Sequence, residues 1–364
     1  MTEVGRQSGV HATGTARARS LKFSTDGIPA ANRVELWTIH NAKALIALDI
    51  RTMDDSPLTA AEINLHFPSI KLAQVRGSAQ VIERNEPYIR RNPTDVIGVF
   101  FALKGEAFFY YPGGFETLRP GQAVIYDADQ PYMRGFHRGV EEMVLTIPRD
   151  DYLALSGGKP LLRPVVVDFH EAGPANRHML ALARLVRDAL AEGMGAGATG
   201  GAPLDSGAVE STSLELLRLL VAGRGGGTPE GYLAAAKCFI EDHLGDPGLC
   251  PAQVADAVGI SERHLTRVFA EAGEPPAAYV MSRRLERARA ILEDGSERTT
   301  PIAALASRCG FSSQAYFARV FKARFGTTPL KARREACSEG LVLPAHDPLL
   351  GGTFNPQGIG SEGG

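Results

Sequence analysis

Arg263, Thr266 and Arg267 stand at i, i+3 and i+4, the spacing that sets three side chains on one face of a helix. Leu265, Val268 and Phe269 take the opposite face, so packing that apolar stripe turns the polar face outward, with His264 beside it. The pattern returns further along: Phe317, Val320 and Phe321 form a stripe that turns Gln314, Ala315, Ala318 and Arg319 outward, with Lys322 and Arg324 next to them. Long donors and small residues on the exposed face of a short helix suit contact with base edges in a DNA major groove, and flanking cations suit phosphates.

The elements that must hold these faces form an internal repeat. Ala255-Asp-Ala-Val-Gly259-Ile-Ser261 recurs as Ala306-Ser-Arg-Cys-Gly310-Phe-Ser312, and Arg267-Val-Phe269 recurs as Arg319-Val-Phe321. The glycines are 51 residues apart and the phenylalanines 52, so the second copy carries one extra residue in its turn or early helix. Each copy has a short leading helix, a glycine able to take a left-handed turn, a serine to cap the next helix, and that second helix, which is a helix-turn-helix. Between the copies, Pro276 to Leu292 predicts one helix of roughly 25 Å, long enough to hold two reading heads near the ~34 Å repeat of major-groove faces. Arg283, Arg284 and Arg287 on it are candidate phosphate contacts, or ordinary solvated arginines.

Charge agrees with a polyanionic partner at this end. Ser261 to Cys337 holds 14 Lys/Arg against 8 Asp/Glu, although the whole chain of 364 residues has a net charge of −2. No apolar run approaches membrane-spanning length, and the N-terminus lacks the apolar core of a signal peptide, so the expectation is a cytoplasmic protein. Cys238, Cys250, Cys309 and Cys337 show no Cys-x-x-Cys spacing, which suits reduced thiols. His40, His66, His137 and His170 are isolated and no His-x-His occurs, so no metal site, cofactor or catalytic role is expected.

The run Val254-Ala-Asp-Ala-Val-Gly-Ile-Ser261, then Leu265-Thr-Arg-Val-Phe269, Arg284-Leu-Glu-Arg-Ala-Arg-Ala-Ile-Leu292, Ile302-Ala-Ala-Leu-Ala306 and Cys309-Gly-Phe-Ser-Ser-Gln-Ala-Tyr-Phe-Ala-Arg-Val-Phe-Lys322, with Phe325-Gly326 and Pro329, resembles the DNA-binding domain of the AraC/XylS regulators. The resemblance covers about 100 residues. It implies an all-α domain with two helix-turn-helix units that binds double-stranded promoter DNA over about two turns, with RNA polymerase as a further partner.

From about Asn32 to Ile147 short β-branched and aromatic runs alternate with turns such as Pro112-Gly113-Gly114 and Pro120-Gly121, which predicts an antiparallel sandwich or barrel. Leu118-Arg-Pro-Gly-Gln-Ala-Val-Ile-Tyr-Asp127, Gln130-Pro-Tyr132 and Leu145-Thr-Ile-Pro148 resemble the cupin-like sensor domains fused to that DNA-binding domain, in the branch related to regulators of aromatic-amine and aromatic-acid catabolism. Phe101, Phe109, Tyr111, Tyr126, Tyr132 and Arg134 are candidates to line a ligand pocket; each aromatic also suits plain core, and Arg134 either holds a carboxylate or lies at the surface.

The expected fold class is therefore α+β multidomain. The expected layout is a disordered tail over 1–25, a cupin-like sensor and dimerisation domain over 26–192, a helical and Gly-rich linker over 193–229, a DNA-binding domain over 230–337 and a second tail over 338–364. The expected function is an effector-responsive activator of a catabolic operon, acting as a homodimer without membrane attachment. The alternative is a DNA-binding regulator whose barrel serves only oligomerisation or protein contacts.

Overall fold

A strand that is apolar at nearly every position, as Val96–Lys104 is, needs cover on both faces. A computed structural model, which describes residues 18–169, 171, 173–194, 205–222, 227–294 and 299–339, shows that cover. The expected tails up to residue 17 and beyond 339, His170, and the glycine-rich stretches 195–204 and 223–226 lie outside the described residues.

The described strands are β1 (Arg19–Ser24), β2 (Asp49–Thr52), β3 (Ala60–His66), β4 (Lys71–Gly77), β5 (Gln80–Arg84), β6 (Val96–Lys104), β7 (Ala107–Tyr111), β8 (Gly114–Leu118), β9 (Gln122–Asp127), β10 (Tyr132–Phe136), β11 (Val140–Pro148) and β12 (Val165–Asp168). They form a seven-stranded sheet in the order β1-β3-β4-β11-β6-β9-β12 and a five-stranded sheet in the order β2-β5-β10-β7-β8. The pairings are antiparallel, as the closely spaced turns predict, but the strands make two sheets and not one closed barrel.

The helices are α1 (Ala30–Ala44), α2 (Glu86–Arg91), α3 (Arg149–Ser156), α4 (Pro174–Gly193), α5 (Ser206–Val221), α6 (Pro229–His243), α7 (Pro251–Val258), α8 (Glu262–Glu271), α9 (Pro276–Glu293), α10 (Ile302–Arg308), α11 (Gln314–Phe325) and α12 (Pro329–Glu339). Two elements depart from the sequence reading. Arg19–Ser24, placed in the disordered tail, pairs with β3 in full register from Arg19↔His66 to Ser24↔Ala61. Ala30–Ala44, at the start of the stretch read as strands, is helical; Val34, Trp37, Asn41 and Ala44 follow three- and four-residue spacing, and the last three are buried.

Period-two alternation divides the apolar residues between two cores. From β6 and β11, Phe100, Ala102 and Val144 point between the sheets, where Trp37 of α1 joins them. Ile97, Val99, Phe101, Met143, Leu145 and Ile147 point to the outer face of the seven-stranded sheet. That outer core is covered by α3, α4 and α5 and runs on without a break into α6, α7 and α8. Leu182, Val186 and Leu190 of α4 are wholly buried in it, each worth roughly 1.5–3 kcal/mol.

The chain divides into two compact units. One runs through Leu244 and resumes over Gly248–Ser282; the other comprises Gly245–Pro247 and the chain from Arg283 onward. The first unit thus contains the sheets together with α6, α7 and α8. No described helix is long and apolar enough to cross a membrane.

Candidate nucleic-acid interface

In the first unit, α7 begins at Pro251, whose missing N–H costs nothing at a first helical position. It ends at Gly259, with φ of 77° and ψ of 30°, the left-handed turn expected of this glycine. Ser261 caps α8 by accepting a hydrogen bond from the His264 N–H at 3.2 Å. Leu265, Val268 and Phe269 are buried, and Arg263, Thr266 and Arg267 are exposed on the other side. Arg267 is 3.9 Å from Glu271, and the Thr266 hydroxyl donates to the Glu262 carbonyl at 2.9 Å. Arg263 has no ion-pair partner among the described residues, so its guanidinium is available to a ligand. His264 is placed differently from its neighbours: it is half-buried, edge-on to Tyr232 at 5.3 Å, and packs α8 onto α6.

The second unit repeats the device. Gly310 has φ of 80°, and Ser313 caps α11 by accepting from the Tyr316 N–H at 3.3 Å. The extra residue of the second copy therefore lies in the turn, which makes Ser313, not Ser312, the cap. Phe317 and Phe321 are fully buried in a ladder with Phe311 and Phe325, at ring separations of 4.9, 5.5 and 4.7 Å. Gln314, Ala315, Arg319 and Lys322 are exposed, and Ala318 is half-buried. Tyr316, absent from the sequence reading, is exposed among them, and the Arg319 guanidinium lies over its ring at 5.4 Å. An aromatic three residues before an exposed arginine was the available signal.

The three arginines of α9 separate by environment. Arg287 is exposed. Arg283 is half-buried and ion-paired with Glu286. Arg284 is buried and donates to the Asp246 carbonyl, and burial lowers its pKa, with Asp246 opposing. It ties chain together and is withdrawn as a phosphate contact. A buried guanidinium cannot reach a backbone phosphate without leaving that bond.

The six candidate pocket residues do not all meet. Phe109, Tyr126 and Tyr132 pack ring to ring between the sheets, with Phe109 stacked on Tyr132 at 5.4 Å and Tyr126 edge-on to Tyr132 at 5.0 Å; Tyr111 adjoins Phe109 at 6.3 Å. Phe101 points out of the opposite face of its strand, toward Phe169, because neighbours on a strand alternate. Arg134 does not lie at the surface: its guanidinium is buried and bidentate to Glu142, at 2.6 and 3.2 Å, while its Nε makes no hydrogen bond. Burial raises the pKa of Glu142 while Arg134 lowers it, and burial raises those of Tyr126 and Tyr132. Beside Arg134 and Glu142 the enclosed space is about 10 Å³, room for about one water. A second recess of about 50 Å³ lies between Phe109, Tyr126 and Tyr132 and the segment Leu161–Pro164.

α4 connects the two regions of the first unit. Arg184 pairs with Asp242 of α6, Arg177 lies over Phe239 at 4.9 Å, and the His178 ring is 6.5 Å from that of Tyr232. His178 is buried, and burial lowers its pKa to about 4, with the Val258 backbone opposing. Among the described residues no group of three or more His, Cys, Asp or Glu could hold a metal ion.

The AraC-binding-like domain family matches residues 37–221, and a helix-turn-helix domain family matches 254–335. The chain is 32% identical over 111 residues to the transcriptional activator RhrA of Rhizobium meliloti, covering 30% of this chain and 35% of that one. It is 23% identical to the transcriptional activator NphR of a Rhodococcus species over 288 residues, 74% of this chain and 79% of that one. It is 40% identical over 105 residues to the xylose operon regulatory protein of Escherichia coli K12, or 29% of this chain and 26% of that one. The crystal structure of the AraC-like transcriptional activator CuxR aligns over 75% of this chain and 96% of its own, at 18% identity and a TM-score of 0.43.

Proposed function

Because the chain belongs to the AraC family of DNA-binding transcription regulators, whose AraC-binding-like domain alone matches just over half of it, we propose that it is an effector-responsive activator of a catabolic operon. It acts in the cytoplasm as a homodimer on double-stranded promoter DNA, with RNA polymerase as its second partner. Arg263, Thr266, Arg267, Gln314, Ala315, Ala318 and Arg319 read base edges in the major groove, and Lys322, Arg283 and Arg287 meet phosphates.

One observation carries the effector half of this reading: α4 is packed on the outer face of the seven-stranded sheet and on α6 and α7 at once. A change of sheet shape on ligand binding therefore moves the first helix-turn-helix through a shared core, and binding shifts the population of DNA-competent geometries. Two relatives bear the name transcriptional activator, which supports the sign of regulation.

A second reading has its own observation. The interior beside Arg134 is filled down to about 10 Å³, as it would be if the sheets served only to assemble the protein. Gel shift of the strongest genomic site, with and without metabolites of the adjacent operon, separates the two. Effector action requires operator affinity to move with one of them. Operator affinity indifferent to every metabolite, in a protein that still dimerises, selects assembly.

A further inference from the structure

The outer faces of the two sheets differ. That of the seven-stranded sheet is covered by α3, α4 and α5. That of the five-stranded sheet carries Met133, Tyr110 and Phe115 in one cross-strand row, through the pairs Met133↔Tyr110 and Tyr110↔Phe115. Phe108 lies beside them across Gly135, where a built Cβ would stand 2.4 Å from its ring. Tyr110 is 53% and Phe115 58% exposed. A solvated sheet face ordinarily alternates to polar side chains, so adjoining exposed aromatics mark a contact surface.

β8 bears Phe115 and is the last strand of its sheet, so among the described residues one of its backbone edges has no strand beside it. It contains neither proline nor lysine, which commonly guard an open edge. Its one charge, Glu116, belongs to the opposite face from Phe115. Two copies of β8 related by a two-fold axis run antiparallel, as the strands within this sheet do. Centred on Phe115, their pairing sets Phe115 against Phe115 and Glu116 against Gly114. Centred on Glu116, it sets carboxylate against carboxylate, which is destabilising; centred on Thr117, it parts the two rings. Charge and apolar contact therefore select the register at Phe115. The long amphipathic helices offer no rival contact, since no leucine, valine or methionine of α4 or α5 is exposed.

Resting on the homodimer, which both readings above share, we propose that the partner of this surface is a second copy of the chain. β8 joins β8 at Phe115, and two five-stranded sheets become one of ten strands, with the row of Met133, Tyr110 and Phe115 running on into its copy. Sedimentation velocity of the full-length protein over a concentration series measures the dimer.

Phe115→Asp is expected to raise the dimer Kd at least about thirtyfold. Leu36→Asp, an equal change on the exposed side of α1, which packs by β2 at the other edge of the sheet, leaves it unchanged. In a Phe115→Cys variant a short bismaleimide links the two copies well beyond the background of the unaltered chain, whose Cys250 is exposed. Three results overturn the proposal: Phe115→Asp dimerising like wild type, Leu36→Asp weakening the dimer as much, or Phe115→Cys linking no more than wild type. The homodimer reading is judged separately. A wild-type chain that stays monomeric throughout the series removes that reading and this interface with it, whereas a wild type and a Phe115→Asp variant that are equally dimeric remove the interface alone.

Discussion

Pro174, the first residue of α4, lies directly against Gly259, the turn glycine between α7 and α8: a Cβ at Gly259 would stand 2.9 Å from Pro174 Cγ and 3.1 Å from its Cβ. The glycine is needed twice, for its left-handed φ of 77° and for this approach of α4 to the turn. Gly326 offers the control, with φ of 74° and nothing within 4 Å of a built Cβ. Gly326→Ala should cost about 1 kcal/mol from backbone strain alone, and Gly259→Ala about 1–3 kcal/mol more, from overpacking. Denaturant unfolding of the two variants measures the difference; equal losses would mean that α4 yields freely at the contact.

His178 sets a pH dependence. Its folded pKa of about 4 lies below the ordinary 6.5, because burial disfavours the imidazolium more than the Val258 backbone favours it. The unfolded chain therefore binds the extra proton between those values, and stability present above pH 6.5 is lost as pH falls toward 4. The loss amounts to at most about 3 kcal/mol. His178→Leu should flatten the stability profile across that window, read by thermal unfolding at stepped pH, while a profile identical to wild type would place the titration elsewhere.

Arg134→Met should be among the most destabilising single changes, by about 3–5 kcal/mol, because it leaves Glu142 buried without its partner. Adding Glu142→Leu should recover most of that loss. A double-mutant cycle by chemical denaturation checks it, and additive losses would show that the two side chains act independently.

Arg284→Ala should destabilise the folded protein by about 1–3 kcal/mol, since it leaves the Asp246 carbonyl without its donor. Its effect on DNA binding should vanish once the folded fraction is corrected for. Arg287→Ala is the converse: stability unchanged, affinity lowered on every sequence, and the salt slope reduced by about 1. Unfolding and salt-dependent gel shifts on the same two proteins distinguish the roles.

Arg263→Ala and Gln314→Ala should each cost about 1–3 kcal/mol on the specific site and little on random DNA. Tyr316→Ala should act in the same direction more weakly, by freeing the Arg319 guanidinium stacked on its ring. Equal losses on specific and random DNA would move Arg263 to the phosphate contacts.

The helix-turn-helix units were legible in the amino-acid sequence because their determinants are local. A glycine in the left-handed region, a capping serine and an apolar stripe at three- and four-residue spacing act within a dozen residues, so Gly259, Ser261 and the buried Leu265, Val268 and Phe269 stand as the pattern predicts. The same local rule, applied to Val34, Trp37, Asn41 and Ala44, would have found α1. The antiparallel strands were legible from their composition and turns. Their faces were not: Phe101 and Phe109 look alike in sequence, and which core each enters depends on which side of its strand the other sheet lies.

Pairing across distance was the other hidden layer. Arg134 meets Glu142 because β10 leaves the seven-stranded sheet to β11 and joins the five-stranded one, and Arg284 meets Asp246 because α9 returns to a loop 38 residues earlier. An arginine's role is set by whether a partner reaches it before solvent or ligand does, and sequence spacing carries no record of that. Sequence alone determined which segments become the second helices of the helix-turn-helix units and which of their faces turns outward. Only the tertiary structure decided which charges are neutralised inside the protein, because neutralisation is a matter of angstroms between residues on different elements.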